Sequence, residues 1–325
     1  MKPNSPSSGL TPWTNTISTY AAFSVISGGS DNVASGYWSA VGGGYNNTAG
    51  GVESTIAGGA ANECDGYGAA ILGGVANNIG MNANYSAVGG GFGNSIQTNA
   101  ALSTIGGGVN NTAGGLYATI SGGQNNTAGG QYATVAGGAN NSATGNSSFA
   151  AGNNAHANYD NSFVWGDGTR LISSAGADTF AALATGGVYF YTYANPSVGH
   201  FGAFLGSNST SWATVSDKNA KKNFQPADSI SILDKLANIP IQQWNYKWEQ
   251  DSDVPNIGPM AQDFKHAFYP GRDDKSITTL EFDGVELAAI QGLNQKLQEK
   301  DAQIHSLESR LNDLEQLVHH LTQTK

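Results

Sequence analysis

Ser216 and Lys221 lie five residues apart in the segment Ser216-Asp217-Lys218-Asn219-Ala220-Lys221-Lys222-Asn223-Phe224. A serine hydroxyl is a weak nucleophile and needs a base to take its proton. An ammonium group serves as that base only once burial or a neighbouring cation has made it easier to deprotonate, and Lys218 and Lys222 are cations beside Lys221. The residue types fit a serine–lysine dyad, with Ser216 as nucleophile and Lys221 as general base, cutting the chain beside Ser216. The same residues also read as a cap or turn at Ser216-Asp217 followed by a solvated lysine cluster. Spacing alone leaves both readings open. It does not say which flank of Ser216 is cut or what builds an oxyanion site.

Other chemistry is thinly represented. Asp31, Glu53, Glu63 and Asp65 are too sparse to make a convincing acid/base pair of the kind that hydrolyses glycosides. His156, His200, His266, His305, His319 and His320 are scattered, with no His-x3-His pair, and Cys64 stands alone, so no metal site is expected. Gly-x-Gly spacings abound but none ends in Gly-Lys-Ser/Thr, so no cofactor is expected. The net charge of −10 argues against nucleic acid as a partner. No run approaches the roughly 20 apolar residues of a membrane helix, and Met1 to Phe23 lacks the apolar core of a signal peptide.

The elements that must position Ser216 are of two kinds, and charge divides them. Residues 1–160 carry only Lys2, Asp31, Glu53, Glu63, Asp65 and Asp160, whereas residues 217–325 carry 29 charged side chains. The charge-poor half repeats itself. Its anchors are Ile26, Val41, Ile56, Ile71, Val88, Ile105, Ile120, Val135, Ala150 and Val164, at steps of 15, 15, 15, 17, 17, 15, 15, 15 and 14. Most anchors precede a Gly pair, and those from Ile26 to Val135 are followed six residues later by Asn32, Asn47, Asn62, Asn77, Asn94, Asn111, Asn126 and Asn141.

Short alternating stretches suit strands, and Gly and Asn suit tight corners. A period near 15 is too short for a helical repeat and fits one coil of a parallel β-solenoid. Ten coils at about 4.8 Å each span roughly 50 Å. The asparagines read either as turn formers or as a ladder of amides bonded coil to coil. With Ala, Ser, Thr and Gly dominating the interior, a single coil is expected to bury little, so several copies packing side by side would supply the missing core. Tyr45, Phe92, Leu116, Tyr117 and Tyr132 are expected on the rod surface, available for packing between copies or for stacking sugars.

Beyond the repeat, Phe180, Val188 to Tyr191 and His200 to Leu205 read as short aromatic strands of a β neck. Ile230, Leu233 and Leu236 have helical spacing, and Ile241 to Trp248 alternates like a strand. From 285 a heptad places Ile290, Leu297, Ile304, Leu311 and Val318 at a and Leu293, Lys300, Leu307, Leu314 and Leu321 at d, broken only by Lys300. The mixture of Ile and Leu at a does not fix strand number; a trimerisation seam is expected because so thin a rod interior also wants three chains.

Two resemblances follow. The coils, best in Ser148 to Ala157 and Ser162 to Gly168, resemble the YadA-like head repeats of trimeric autotransporter adhesins, which form left-handed parallel β-rolls. The tail resembles a peptidase S74 domain, the intramolecular chaperone of phage tailspikes and tail fibres. It does so through Ser216 with Lys221, Trp244-Asn245-Tyr246-Lys247, Ile257 to Phe264, and Asp283 to Leu293. This second resemblance implies trimer-dependent, single-event self-cleavage at the Ser216–Asp217 bond. Asn256 stands where relatives carry His, a departure bearing on the rate of cleavage.

The expected fold is mainly β: a trimeric parallel β-roll shaft and β neck, then a small α/β chaperone domain ending in a coiled-coil helix. The expected divisions are an N-terminal attachment segment at 1–23, β-roll repeats at 24–168, the neck at 169–215, the chaperone domain at 216–284 and the coiled-coil helix at 285–325. The expected function is a homotrimeric tail fibre or spike, assembled in the cytoplasm and carried on a virion or contractile injection particle. Its partners would be its own copies, a baseplate or tail protein at the N-terminus, and a glycan or protein receptor on the target cell, without membrane insertion. The alternatives are an exported surface adhesin with the same rod and a glycan-degrading spike.

Overall fold

A computed structural model of the chain describes residues 14–195 and 199–323. Most of the attachment segment expected at 1–23 lies outside the described residues. The chain divides into two compact units, Met1–Ser216 and Asp217–Lys325.

The first unit is a parallel β-solenoid of about 11 turns. Each coil contributes two short strands and one bridging residue. Ala40–Val41 pairs with Thr55–Ile56, Thr48–Ala49 pairs with Glu63–Cys64, and Tyr45 bridges to Ala60, all in parallel register. Two rows of side chains fill the interior. One runs from Val41 through Ile56, Ile71 and Val88 to Val164, the other from Ala34 through Cys64 and Ile79 to Ala157, and every member of both is fully buried. This corrects the expectation that neighbouring copies supply the missing core. The small Ala, Ser and Gly positions let opposite walls close on each Val or Ile, whose burial contributes about 1.5–3 kcal/mol. The core is complete within a single chain and does not by itself require neighbours.

The asparagines form the ladder and shape the turn at once. The backbone N–H and Nδ2 of Asn47 both donate to Oδ1 of Asn32, and Nδ2 also reaches the carbonyls of Gly43 and Gly59. The glycine before each rung is obligatory. Gly44 has φ +94°, and a Cβ there would land on the carbonyl oxygen of Gly59. The two longer steps are absorbed at one corner, where Asn82 and Asn99 adopt positive φ and bond each other at 3.1 Å.

The stack extends past the legible repeat at both ends. Thr16–Ile17 pairs with Val33–Ala34, and Asn15 supplies the lowest rung among the described residues by accepting from Asn32. Phe180–Leu183, expected in the neck, pairs in parallel with Phe163–Ser173 and belongs to the solenoid. Phe180 continues the ring stack of Phe149 and Phe163 at centroid spacings of 4.7 and 5.0 Å. Asp167 fastens this last coil by accepting four bonds, from the backbone and hydroxyl of both Thr169 and Thr185. Those donors, the Thr185 backbone first, hold its carboxyl well below the usual carboxylate range. A separate antiparallel sheet follows, made of Gly187–Asn195, Gly199–Gly206 and Ala213–Thr214.

The second unit contains α1 (Ser229–Ala237), α2 (Ala261–Phe268) and α3 (Thr279–Gln323), with strand Ile241–Trp244 antiparallel to Asn256–Pro259. The strand expected to run to Trp248 ends at Trp244, because the backbone of Tyr246 turns to bond the Glu249 carboxylate at 2.6 Å. Asp228 caps α1 through the backbone of Ser231. The fully buried Phe264 centres the core, with Ile239 and Val285 against it. Gly292 lets α3 approach α1 so closely that a Cβ there would collide with the carbonyl oxygen of Ser229. No helix among the described residues is long and apolar enough to cross a membrane.

Candidate functional site

Ser216 closes the first unit, and Lys221 follows the first turn of the second. That turn is a 3-10 helix, Lys218–Ala220, whose N-cap is Asp217; its carboxylate accepts from the backbone of Asn219 at 2.9 Å. The cap reading of Ser216-Asp217 is thus realised by Asp217, which leaves Ser216 one residue upstream of the cap. Lys221 is the C-cap, its backbone N–H donating to Lys218 at 3.1 Å. The Lys218 ammonium lies 6.0 Å from the Phe224 ring centroid. The side chains of Ser216, Asp217 and Lys221 are all exposed.

The remaining sequence motifs lie on the two-stranded sheet, α2 and α3. Trp244 pairs with Asn256 across the two-stranded sheet, Ile257 to Pro259 complete the partner strand, and α2 follows at once. Phe264 on α2 meets Phe268, Tyr269 and Phe282 at ring centroid distances of 5.1, 6.1 and 6.0 Å. Val285 of the fourth motif is buried there too. Phe264 and Val285 are therefore scaffold, whereas Tyr246 and Ile257 stay exposed.

The sequence reading missed a polar network at the start of α3. Lys265 and Glu281 pair at 2.6 Å with both side chains nearly buried, and Arg272 reaches the other carboxylate oxygen at 3.0 Å. The Thr278 backbone donates to Glu281, whose own N–H donates back to the Thr278 hydroxyl. This reciprocal capping box starts α3 at Thr279, six residues before the heptad reading. The Lys265 ammonium, then the Thr278 N–H, hold the Glu281 carboxyl down to about 2. The Thr278-x-x-Glu281 spacing was legible as a cap; its link to Lys265 was not.

The seam residues share one condition. Ile290, Leu293, Leu297, Ile304, Leu307, Leu311, Leu314, Val318 and Leu321 are 50% to 66% exposed in the single chain. From Leu297 to Thr322 every residue of α3 is exposed.

The sequence model of one family, Peptidase_S74, described as the chaperone of endosialidase, matches residues 216–270. The match begins at Ser216, where the two compact units divide, and ends before α3. No curated protein matches the chain.

Proposed function

We propose that the chain is a homotrimeric tail fibre or spike that attaches a phage or related injection particle to a target cell surface, and that its C-terminal unit drives trimerisation and then cuts itself off beside Ser216. A parallel β-solenoid joined to a chaperone-of-endosialidase segment fits a tail-spike-like protein. The observation that carries the reading is a coincidence of boundaries: the first compact unit ends, and the family match starts, at Ser216.

Within this reading the likeness of the coils to adhesin head repeats describes the shaft. The exposed heptad stripe of α3 is the assembly seam, since a long helix with an apolar a/d stripe is stable in water only when that stripe is covered. Stacked coils make non-local pairings that form slowly, which gives a chaperone its purpose. Ser216 acts as nucleophile and Lys221 as general base, once, on its own chain. The N-terminal segment docks to a baseplate or tail protein, and the rod surface meets a glycan or protein receptor.

The rod offers self-stacked aromatics for that surface. Tyr117 and Tyr132 lie 4.9 Å apart at 11°, and both are exposed. Each ring covers one face of the other, which leaves less open face for a sugar and favours packing against protein.

A denaturing gel with fragment masses tests the proposal. Wild type yields fragments 1–216 and 217–325, while Ser216→Ala and Lys221→Ala stay intact. Equal processing in all three overturns the dyad, and fragments 1–215 and 216–325 move the cut to the other flank.

A further inference from the structure

One corner of the solenoid carries bulky side chains in a backbone conformation that disfavours them. Phe23, Trp38, Tyr85, Leu102, Tyr117 and Tyr132 have φ values from 56° to 62°, in the left-handed region that large residues rarely adopt. The other left-handed corner of the same coils is made by small residues such as Asn46, Ala61, Ala76 and Asn110. The coil itself does not demand an aromatic ring, because Ser147 and Asn161 make this same corner in later coils. Strained residues kept at an exposed position point to a function, and Trp38 and Tyr85 are 53% and 60% exposed.

The lower part of this ridge is more than an apolar strip. Going up the corner, Glu53, Gly68 and Tyr85 follow Trp38, their N–H groups donating to Tyr37, Val52 and Tyr67 of the coil below. The Tyr67 hydroxyl donates to Oε1 of the exposed Glu53 at 3.1 Å. The other carboxylate oxygen of Glu53 accepts from no group among the described residues. Gly68 leaves room for Tyr85, whose ring a Cβ there would meet at 3.0 Å. Tyr85 thereby reaches Tyr67 at 5.2 Å and 90°, and Tyr37 meets Trp38 at 4.7 Å and 87°. At right angles, one ring of each pair keeps both faces clear of its neighbour, unlike the parallel Tyr117 and Tyr132.

We propose that Trp38, Glu53, Tyr67 and Tyr85 form a binding site for a pyranose glycan that carries no acidic groups. A pyranose has a C–H face that lies on the electron-rich face of an aromatic ring, and adjacent hydroxyls that donate charge-assisted bonds to a carboxylate. Both partners stand here on neighbouring coils, about 4.8 Å apart. Lys2 is the only Lys or Arg in residues 1–160, so an acidic sugar would meet Glu53 without a compensating cation. Copies of the chain are a poor occupant. In a parallel homotrimer each copy holds Glu53 at the same height, and turning this corner to the axis would bring three carboxylates together. The inference rests on the attachment reading of the rod and names the chemistry of what it meets.

The test applies the full-length protein to a printed array of neutral, amino and acidic pyranose glycans, then measures affinity for a bound glycan by calorimetry. Binding to glycans without acidic groups is expected. Trp38→Asn is the decisive variant, because Asn suits a positive φ: the melting temperature is expected to hold or rise while affinity falls about tenfold. Glu53→Gln is expected to weaken binding as well. Phe92→Ala, which removes an exposed ring on another edge of the coils, is expected to bind as wild type does.

No binding on the array, the result expected of a surface that meets only protein, overturns the inference, as does binding confined to acidic glycans. A lower melting temperature in Trp38→Asn with affinity unchanged makes the ring structural and overturns it too. Glycan binding that survives both Trp38→Asn and Glu53→Gln refutes this site and leaves attachment by the rod standing.

Discussion

The Lys265 ammonium and the Glu281 carboxylate meet at 2.6 Å with side chains only 6% and 10% exposed. Removing one partner of such a pair leaves the other charge buried and unpaired. Glu281→Gln is therefore expected to lower the melting temperature of the second unit clearly more than Arg272→Gln, because the Arg272 side chain is 63% exposed. Thermal melts followed by helical circular dichroism check this, and equal losses would count against it.

The same pair sets an acid limit. The Glu281 carboxyl is depressed from about 4.5 to about 2 in the folded chain. A depressed carboxylate stabilises the fold above its unfolded pKa, and the contribution fades as pH falls through the folded value. Helix stability is expected to decline between pH 4.5 and 2, with the decline shallower in Glu281→Gln. Parallel denaturation curves for the two proteins across that range would refute it.

Asn94 joins the two longest coils. It donates to Asn77, Gly90 and Gly108 and accepts from Asn111. Asn94→Ala strands the buried backbone N–H of Asn111, whose Nδ2 keeps the carbonyls of Gly107 and Gly123, at about 1–3 kcal/mol for an unsatisfied group. Asn78→Ala removes only an exposed side-chain bond to Glu63 and is expected to stay within about 0.5 kcal/mol of wild type. Denaturant titration of the rod signal distinguishes them.

Gly108 and Gly58 look alike in sequence but differ in space. Gly108 has φ +95°, with the Gly123 carbonyl where a Cβ would sit, whereas Gly58 has nothing within 4 Å. Gly108→Ala is expected to destabilise the rod strongly or abolish soluble protein, and Gly58→Ala to be tolerated. Comparable yields and melts of the two would contradict the stacking described.

Ile304 and Leu307 sit at mid-seam, 50% and 59% exposed in the single chain. Ile304→Asp combined with Leu307→Asp is expected to reduce the mass measured by light scattering to that of one chain. An unchanged oligomer would place the assembly contact elsewhere.

The sequence showed the solenoid through its anchors and Asn rungs because each coil repeats the same backbone demands. Its ends were hidden for a physical reason. Thr16–Ile17 and Phe180–Leu183 are held by pairing with the adjacent coil rather than by residues of repeat type. Asn15 repeats the rung bond to Asn32 outside the anchored coils, and Asp167 fastens the last coil with one-off bonds that no period reveals. The fully buried Ile and Val rows also showed that a thin interior can be a full one.

In the candidate site, Ser216 and Lys221 were readable by type and spacing. The network around Glu281 depends on Lys265, sixteen residues earlier on another helix, and only folding brings the two together.

Asn94 bonds Asn77 across a 17-residue step just as Asn77 bonds Asn62 across a 15-residue step. The rungs register neighbours and not the length of chain between them. Rod length is therefore an adjustable quantity. Duplicating or deleting one whole coil would change the length of the stack by about 4.8 Å without asking any other coil to repack, so the shaft can lengthen or shorten through tandem duplication.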